Sequence, residues 1–181
     1  MTKQNGNESL VITASGEDQV GLVEKLSRQI TEAGCNIEES RMVVLGGQFS
    51  VIVRAAGSWN ALAKLEAQLE STGRELGLTV IHCRTRDKQR RQAAIPYQVD
   101  VVALDHPGIV HSLARFFAER SINIEEVQTD TYPAPHTGAP MFSVSMMVGV
   151  PGDAQIAALR NDFLDYCDEL NLDAAFEAVR G

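Results

Sequence analysis

The strongest constraint on the fold of this chain is an internal duplication. Residues 18–39 (DQVGLVEKLSRQITEAGCNIEE) align with residues 105–126 (DHPGIVHSLARFFAERSINIEE) at a constant offset of 87 positions. The alignment resumes at Phe49–Val51 and Phe142–Val144 at an offset of 93, and continues at an offset of 94 towards the end of the chain. Only two copies of so long a unit indicate a tandem domain pair, because solenoid proteins stack three or more shorter repeats.

The first copy has alternating or β-branched stretches typical of strands, and apolar stripes at helical spacing. Its predicted strands are Ser9–Gly16, Asn36–Leu45, Gln48–Ala55 and Leu78–Cys83. Its predicted helices run from Gln19 to Ala33, and from a capping Ser58 to a terminating Gly77. The order of the elements is therefore βαββαβ.

The second copy repeats this order. Its predicted strands are Tyr97–Leu104, Asn123–Tyr132, Pro140–Val150 and Leu172–Val179, and its predicted helices are Gly108–Arg120 and Asp153–Glu169. Its six extra residues are expected in the long, proline-rich hairpin Asp130–Pro140. We therefore predict an α+β protein with two tandem ferredoxin-like βαββαβ units and antiparallel sheets.

The predicted domain boundaries follow from this pattern. Residues 1–8 form a polar tail, residues 9–84 the first domain, residues 85–95 a basic linker, and residues 96–181 the second domain. Two interpretations of the basic side chains near the linker remain open, namely a solvated connection and a contact with an acidic partner. These side chains are Arg84, Arg86, Lys88, Arg90 and Arg91.

Charge and cysteine content exclude several classes of function. The formal net charge is −8 and the pI is about 5.0, whereas a surface that binds nucleic acid directly is usually basic. The three cysteines are widely spaced and odd in number, which favours a reducing compartment and neither a disulfide framework nor a metal site. The chain shows no signal peptide and no apolar run near 18 residues, so we expect a cytoplasmic protein without membrane contact.

Two glycines occupy matching places near the start of the first helix of each copy. Gly21 and Gly108 cost about 1 kcal/mol relative to alanine in a helix. Either the missing side chain lets the helix pack tightly on its sheet, or it lets a small ligand reach backbone N–H groups. A helix N-terminus attracts a carboxylate through its free N–H groups and its dipole.

Other polar residues near these glycines also have two interpretations. Asp18 and Asp105 are either helix N-caps or groups that bind a ligand ammonium. Asn36 and Asn123 are either left-handed turn residues or side-chain amides that contact a zwitterion. Pro107 suits the first position of the following helix, because it has no N–H to leave unpaired.

No catalytic site is evident in the sequence. None of the four histidines has a partner at metal-binding spacing, and no arrangement of nucleophile, base and orienting group stands out. The third strands, GQFSVIVR and PMFSVSMM, each carry one aromatic and lack the basic-glycine-aromatic pattern of RNA-binding modules with this fold. We therefore expect no enzyme activity, no metal and no cofactor.

The duplicated turn resembles that of the ACT domain. Asp105–Val110 (DHPGIV) is close to the family pattern, and Asp18–Val23 (DQVGLV) departs from it at Val20, where proline is usual. The resemblance implies a regulatory module that binds an amino acid at an interface between two such domains. The ligand-binding residues that it implies are Asp18, Val20, Gly21, Leu22, Asn36 and Ile37 in the first copy, and Asp105, His106, Pro107, Gly108, Ile109, Asn123 and Ile124 in the second.

A free-standing ACT pair, in particular the stretch Gly34–Val53 (GCNIEESRMVVLGGQFSVIV), is similar to the glycine cleavage system transcriptional repressor family. The resemblance implies a non-enzymatic regulator that senses glycine and acts on a separate DNA-binding transcription activator. It is also compatible with homo-oligomers formed through ACT sheets or helices. The alternative is a regulatory subunit of an amino-acid metabolic enzyme that uses the same ligand site.

Overall fold

The computed structural model describes residues 8–86 and 94–179, which fall into two compact units. Unit 1 contains β1 (Glu8–Glu17), α1 (Leu22–Glu32), β2 (Asn36–Leu45), β3 (Gln48–Ala56), α2 (Trp59–Leu76) and β4 (Leu78–Arg86). Unit 2 contains β5 (Ile95–Leu104), α3 (Ile109–Glu119), β6 (Asn123–Pro133), β7 (Pro140–Val150), α4 (Ile156–Glu169) and β8 (Asp173–Ala178). The predicted repetition of βαββαβ is confirmed.

Each unit has one antiparallel four-stranded sheet. The strand order is β2-β3-β1-β4 in unit 1 and β6-β7-β5-β8 in unit 2. In the central strand β1, Leu10, Ile12 and Ala14 are buried and alternate with more exposed residues, since successive side chains point to opposite faces of a sheet. Helix α1 buries Leu22, Leu26 and Ile30 on one side. The core therefore lies between the helices and one sheet face, and the other face is open.

The two cores are filled differently. In unit 2, the rings of Phe116, Phe117 and Phe163 contact one another, with centroids 5.2–5.3 Å apart. The aligned residues of unit 1 are smaller or polar: Gln29, Ile30 and Leu69. These three residues line a small apolar cavity of about 10 Å³ beneath α1. Aromatic side chains therefore fill a part of the unit 2 core that aliphatic and polar side chains occupy in unit 1.

The length difference between the copies lies in the predicted hairpin. Asn36 pairs with Ala56, twenty positions away, whereas Asn123 pairs with Gly149, twenty-six positions away. The β2–β3 connection is the pair Gly46–Gly47, and the β6–β7 connection is residues 134–139. The six extra residues thus lengthen this loop and the strand ends beside it.

The end of unit 1 differs from the expected linker. Strand β4 continues to Arg86, so Arg84 belongs to the sheet and not to a solvated connection. Its guanidinium donates hydrogen bonds to both carboxylate oxygens of Glu66, at 2.8 and 2.9 Å, and to Glu8 at 3.1 Å. Of the other basic residues, Lys88, Arg90 and Arg91 lie outside the described residues. No helix in the described part of the chain is long and apolar enough to cross a membrane.

Candidate functional site

The candidate site is the turn that joins the first strand of each unit to its first helix. In unit 1, the backbone N–H of Asp18 donates to the carbonyl of Gly47, at 3.0 Å. In unit 2, the N–H of Asp105 donates to the carbonyl of Pro140, at 2.9 Å. In each unit, a backbone hydrogen bond therefore holds the turn next to the hairpin that joins the second and third strands.

The glycines have a conformational cause that the sequence analysis did not identify. Gly21 and Gly108 are the N-cap residues of α1 and α3, and both adopt left-handed backbone conformations with φ of 92° and 100°. A Cβ atom built at either glycine would meet nothing within 4 Å. The interpretation as tight helix packing is therefore wrong, because glycine is favoured here by its positive φ.

The predicted caps are also wrong. Asp18 and Asp105 precede the turns, and no side chain makes a capping hydrogen bond at the start of either helix in the described structure. Pro107 lies before the N-cap, and the first residue of α3 is Ile109, so the proline does not occupy the first helical position. The turn needs a left-handed residue at the N-cap, and this requirement overrides the usual preference for aspartate.

The absence of a side-chain cap leaves the first helical turn open. The carbonyl groups of the two N-caps accept the first helical hydrogen bonds. The N–H of Lys25 donates to the Gly21 carbonyl, at 3.0 Å, and the N–H of Ser112 donates to the Gly108 carbonyl, at 2.9 Å. The preceding N–H groups are the ones that a helix leaves without an intrahelical partner. Open space over a left-handed glycine and uncapped N–H groups can together receive an anionic group.

The neighbouring side chains divide into anchors and exposed groups. Leu22 and Ile109 are buried in their respective cores, so they fix the helix starts and their side chains are not available to a ligand. The N–H of Leu22 already donates to the Gln19 carbonyl, at 3.5 Å. His106 and Pro107 are exposed, and Val20 is fully exposed in the aligned place of Pro107. The full exposure of this valine was not anticipated, although an apolar residue in a polar turn was a visible signal for it.

The structure does not bring the asparagines to these turns within a unit. Asn36 pairs with Ala56, which pairs in turn with Ser9 near the start of β1. The turn follows Glu17, eight residues further along, and eight residues of strand span about 26 Å. Asn123 has the same position in unit 2. One small ligand therefore cannot contact both the turn and the asparagine of the same unit.

The left-handed turn predicted at the asparagines is located elsewhere. The positive-φ residues after α1 and α3 are Gly34, at 86°, and Ser121, at 56°. Asn36 and Asn123 are instead the first residues of β2 and β6, each followed by Ile37 or Ile124 in the same strand. Their turn interpretation is wrong, and a ligand contact through their amides stays a prediction. Among residues 8–86 and 94–179, no three His, Cys, Asp or Glu side chains are arranged to hold a metal ion.

Comparison with known proteins agrees with the architecture. Residues 8–82 match the family model for the ACT domain. Two curated relatives, the glycine cleavage system transcriptional repressors of Escherichia coli (strain K12) and Shigella flexneri, are each 34% identical over 172 residues. Those alignments cover 94% of this chain and 90% of each relative.

Two solved structures have a similar fold over nearly the whole length of this chain. A crystal structure assigned as a glycine cleavage system transcriptional repressor is 25% identical, with a TM-score of 0.72 over 97% of this chain and 99% of that one. A protein of unknown function from Galdieria sulphuraria is 26% identical, with a TM-score of 0.78 over 96% of this chain and 99% of that one. From the extent and identity of the curated matches, the chain belongs to the glycine cleavage system transcriptional repressor family.

Proposed function

We propose that this protein is a non-enzymatic, amino-acid-sensing repressor that binds glycine and acts on a DNA-binding activator of the glycine cleavage operon. Family membership supports the regulatory role. The observation that carries the ligand proposal is the open space over Gly108 at an uncapped helix start. The same feature recurs at Gly21, so each unit has one candidate turn.

The chemistry of the turn suits a zwitterion. The ligand carboxylate accepts hydrogen bonds from the first N–H groups of α3, where the helix dipole adds a favourable interaction. The exposed carboxylate of Asp105 lies three residues before the N-cap and supplies a negative group for the ligand ammonium. Glycine has no side chain to accommodate, and the missing Cβ of Gly108 lets it approach the backbone closely.

The two turns are expected to differ in affinity. Pro107 has a fixed φ, which restricts the turn of unit 2 before the ligand arrives. Val20 in unit 1 imposes no such restriction and is fully exposed. A restricted loop loses less conformational entropy when it binds, so the turn of unit 2 is the tighter glycine site in this proposal.

The proposed target of the repressor is a protein and not DNA. The formal net charge of −8 opposes contact with the phosphates of DNA. In a gel shift at physiological salt, we expect the purified protein alone to leave promoter DNA unshifted. We expect it to change the mobility of the activator–DNA complex, and this change to depend on glycine.

Calorimetry with glycine tests the site. Gly108→Asn and Gly21→Asn retain a residue that tolerates the left-handed conformation, but place a side chain over the N–H groups. Gly77→Asn is the matched control, because Gly77 has φ of 67° at the far end of α2. We expect weaker glycine binding in both turn variants, more so for Gly108→Asn, and wild-type binding in the control. Unchanged binding in both turn variants, with circular dichroism showing intact folds, contradicts the proposed site.

The regulatory target is tested separately by affinity purification from the native host. We expect a DNA-binding activator to co-purify with the protein. If a biosynthetic enzyme co-purifies instead, and its activity responds to the protein and glycine, the chain is an enzyme subunit and the repressor proposal is wrong. Glycine binding measured by calorimetry remains valid whether an activator or an enzyme co-purifies.

A further inference from the structure

The outer edge of strand β4 has the geometry to receive another strand. β4 is the last strand in the order β2-β3-β1-β4 of unit 1, and no strand of residues 8–86 or 94–179 pairs with its outer side. Its inner side pairs with β1 over nine consecutive residue pairs, from Leu78 to Arg86, without a register shift. A regular edge strand presents a row of backbone N–H and C=O groups to which another extended segment binds.

The other edge strands of the described structure carry features that discourage such pairing. In β2 and β6, a register shift interrupts the pairing near the start of the strand, and charged side chains lie beside it. β8 is only six residues long and includes Asp173 and Glu177. Bulges, charges and short length protect an edge from unwanted pairing. In β4, residues 79–83 have no register shift, no proline and no Asp, Glu, Lys or Arg.

Large exposed side chains flank this edge on both sides of the sheet. Ile81 is 65% exposed and pairs with Thr13, on the side away from the helices. Trp59, the first residue of α2, is also 65% exposed and lies on the helix side, next to Arg84. The side chains of a strand alternate between the two sides of its sheet. A strand added to β4 therefore turns one set of side chains towards Ile81 and the other towards the side where Trp59 lies.

The ring of Trp59 is restrained by a neighbouring ionic cluster. The Arg84 guanidinium lies 5.5 Å from the centroid of the ring, within the range of a cation–π interaction. That guanidinium is itself fixed, because it donates hydrogen bonds to Glu66 and Glu8. A restrained side chain loses little entropy when a partner covers it, and tryptophan is enriched among the residues that dominate the energy of interfaces.

Unit 2 lacks this group of side chains at the aligned positions. The counterparts of Trp59, Ile81 and Arg84 are Asp153, Ala175 and Ala178. Unit 2 nevertheless has the same strand order, so the fold of a unit does not require these three side chains. Burial in unit 1 does not explain Trp59 and Ile81 either, since both are largely exposed. Two large apolar side chains beside an unprotected edge indicate a contact with another molecule.

We propose that the outer edge of β4, with Trp59 and Ile81 beside it, is the surface on which unit 1 receives an extended segment of the regulated activator as an additional strand. This assignment rests on the proposed function, because the activator is the partner. Backbone hydrogen bonds to β4 provide affinity, and contacts with the two exposed side chains provide selectivity. The segment carries uncharged, apolar side chains opposite Ile81 and Trp59.

Charge favours a different protein over a second copy of this chain as the occupant. Each copy has a formal net charge of −8, so two copies repel each other. A DNA-binding protein has a basic face, so its long-range attraction to this chain is favourable and accelerates their encounter. Because residues 79–83 carry no Asp, Glu, Lys or Arg, the final contact depends on backbone pairing and apolar packing.

Amide hydrogen exchange of the full chain, alone and with the purified activator, tests the location of the contact. The outward N–H groups of an edge strand exchange rapidly while no strand covers them. We expect the segment Leu78–Arg86 to exchange at least about tenfold more slowly in the complex. The segment Asp173–Ala178, which is the corresponding edge of unit 2, should be unchanged. A complex that forms without slower exchange in β4 rejects the assignment.

Calorimetry with the activator tests the two side chains. Trp59→Ala and Ile81→Lys should each raise the dissociation constant at least about tenfold, because the first removes a large contact and the second places an ammonium group against apolar side chains. Ile52→Lys is a control on the same sheet, since Ile52 is 47% exposed but lies two strands away from β4. Ala175→Lys is the aligned control in unit 2. Both controls should bind the activator as the wild type does.

The outcomes separate this assignment from the proposed function. If the wild-type protein binds no activator, both are wrong. If the activator binds the wild type and both edge variants with equal affinity, the repressor proposal is retained and the assignment of β4 is wrong. A loss of binding in Ile52→Lys equal to that in Ile81→Lys places the contact on the open sheet face and also rejects the assignment. Circular dichroism checks the fold of each variant, and the exchange experiment on the wild type needs no substitution.

Discussion

Gly21 and Gly108 have the same left-handed backbone conformation at the same point of the two units, immediately before the first helix. Their φ angles are 92° and 100°, and neither glycine has a neighbour that a side chain would displace. The duplication has thus preserved a backbone requirement and not a packing contact. Each chain reversal from strand to helix is completed within four residues, and a left-handed residue makes that short turn feasible.

The first prediction concerns the cost of this conformation. Gly108→Ala should lower the free energy of unfolding by about 1–2 kcal/mol, because an L-residue is strained in the left-handed region even where space is free. Gly108→Asn should cost less, since asparagine tolerates that region better. Urea denaturation followed by circular dichroism measures both. An alanine variant as stable as wild type would show that the turn relaxes to another conformation.

The second prediction concerns the start of α2. The Ser58 hydroxyl accepts a hydrogen bond from the N–H of Ala61 at 3.2 Å, as expected for an N-cap. Ser58→Ala should therefore lower the free energy of unfolding by about 1 kcal/mol. Gln155, the N-cap of α4, makes no side-chain capping bond, so Gln155→Ala is the control and should be nearly neutral. Equal effects in the two variants would contradict this role for Ser58.

The sequence was sufficient to predict the elements because their hydrophobic periods are strong and occur twice. For the first helix, the apolar stripe expected from the sequence was Val20, Val23, Leu26 and Ile30. Leu26 and Ile30 are buried as expected, whereas Val20 and Val23 are exposed and Leu22 is buried in their place. The predicted cap at Ser58 and helix end at Gly77 were confirmed, since both positions follow the common preferences.

The details that the sequence did not predict depend on the backbone geometry of the turns and on how the strands pair. Asp18 and Asp105 matched the preferred N-cap residues, yet the geometry of the turn placed glycines there. Both units also have a register shift that no residue pattern predicted. It lies between Ile37 and Glu39 in the β2–β3 pairing, and between Ile124 and Glu126 in the β6–β7 pairing. The sequence did predict the residues of the two turns, but it did not predict that the asparagines lie far from them, because that distance depends on strand pairing.

The third prediction concerns the dependence of stability on pH. The hydrogen bond and charge of Arg84 hold the pKa of the Glu66 carboxyl below its usual value. A depressed pKa in the folded state stabilises the protein above the unfolded pKa of about 4.3, and this contribution is lost as the pH falls through the folded pKa. Glu66→Gln should therefore unfold at lower urea concentration than wild type at pH 7, with a difference that shrinks towards about pH 3.

The control for this prediction is another glutamate of α2. Glu70 contacts Arg74 at 3.9 Å, and both side chains are largely exposed, at 87% and 76%. Exposed ion pairs of this kind contribute little to stability. Glu70→Gln should leave the urea midpoint nearly unchanged at both pH values. If the two variants behave alike at pH 7, the contact between Glu66 and Arg84 does not stabilise unit 1.

The last prediction concerns the reactivity of the three thiols. Cys83 is exposed, whereas Cys35 and Cys167 are buried in the cores of their respective units. Burial raises the pKa of the Cys35 thiol, and burial with the nearby charge of Asp168 raises the pKa of Cys167 to about 12. Because only the thiolate is reactive, a disulfide reagent at about pH 8 should modify one thiol rapidly and the other two only on unfolding. Cys83→Ser should remove the rapid phase, and a rapid phase that survives this change would show that one core opens readily.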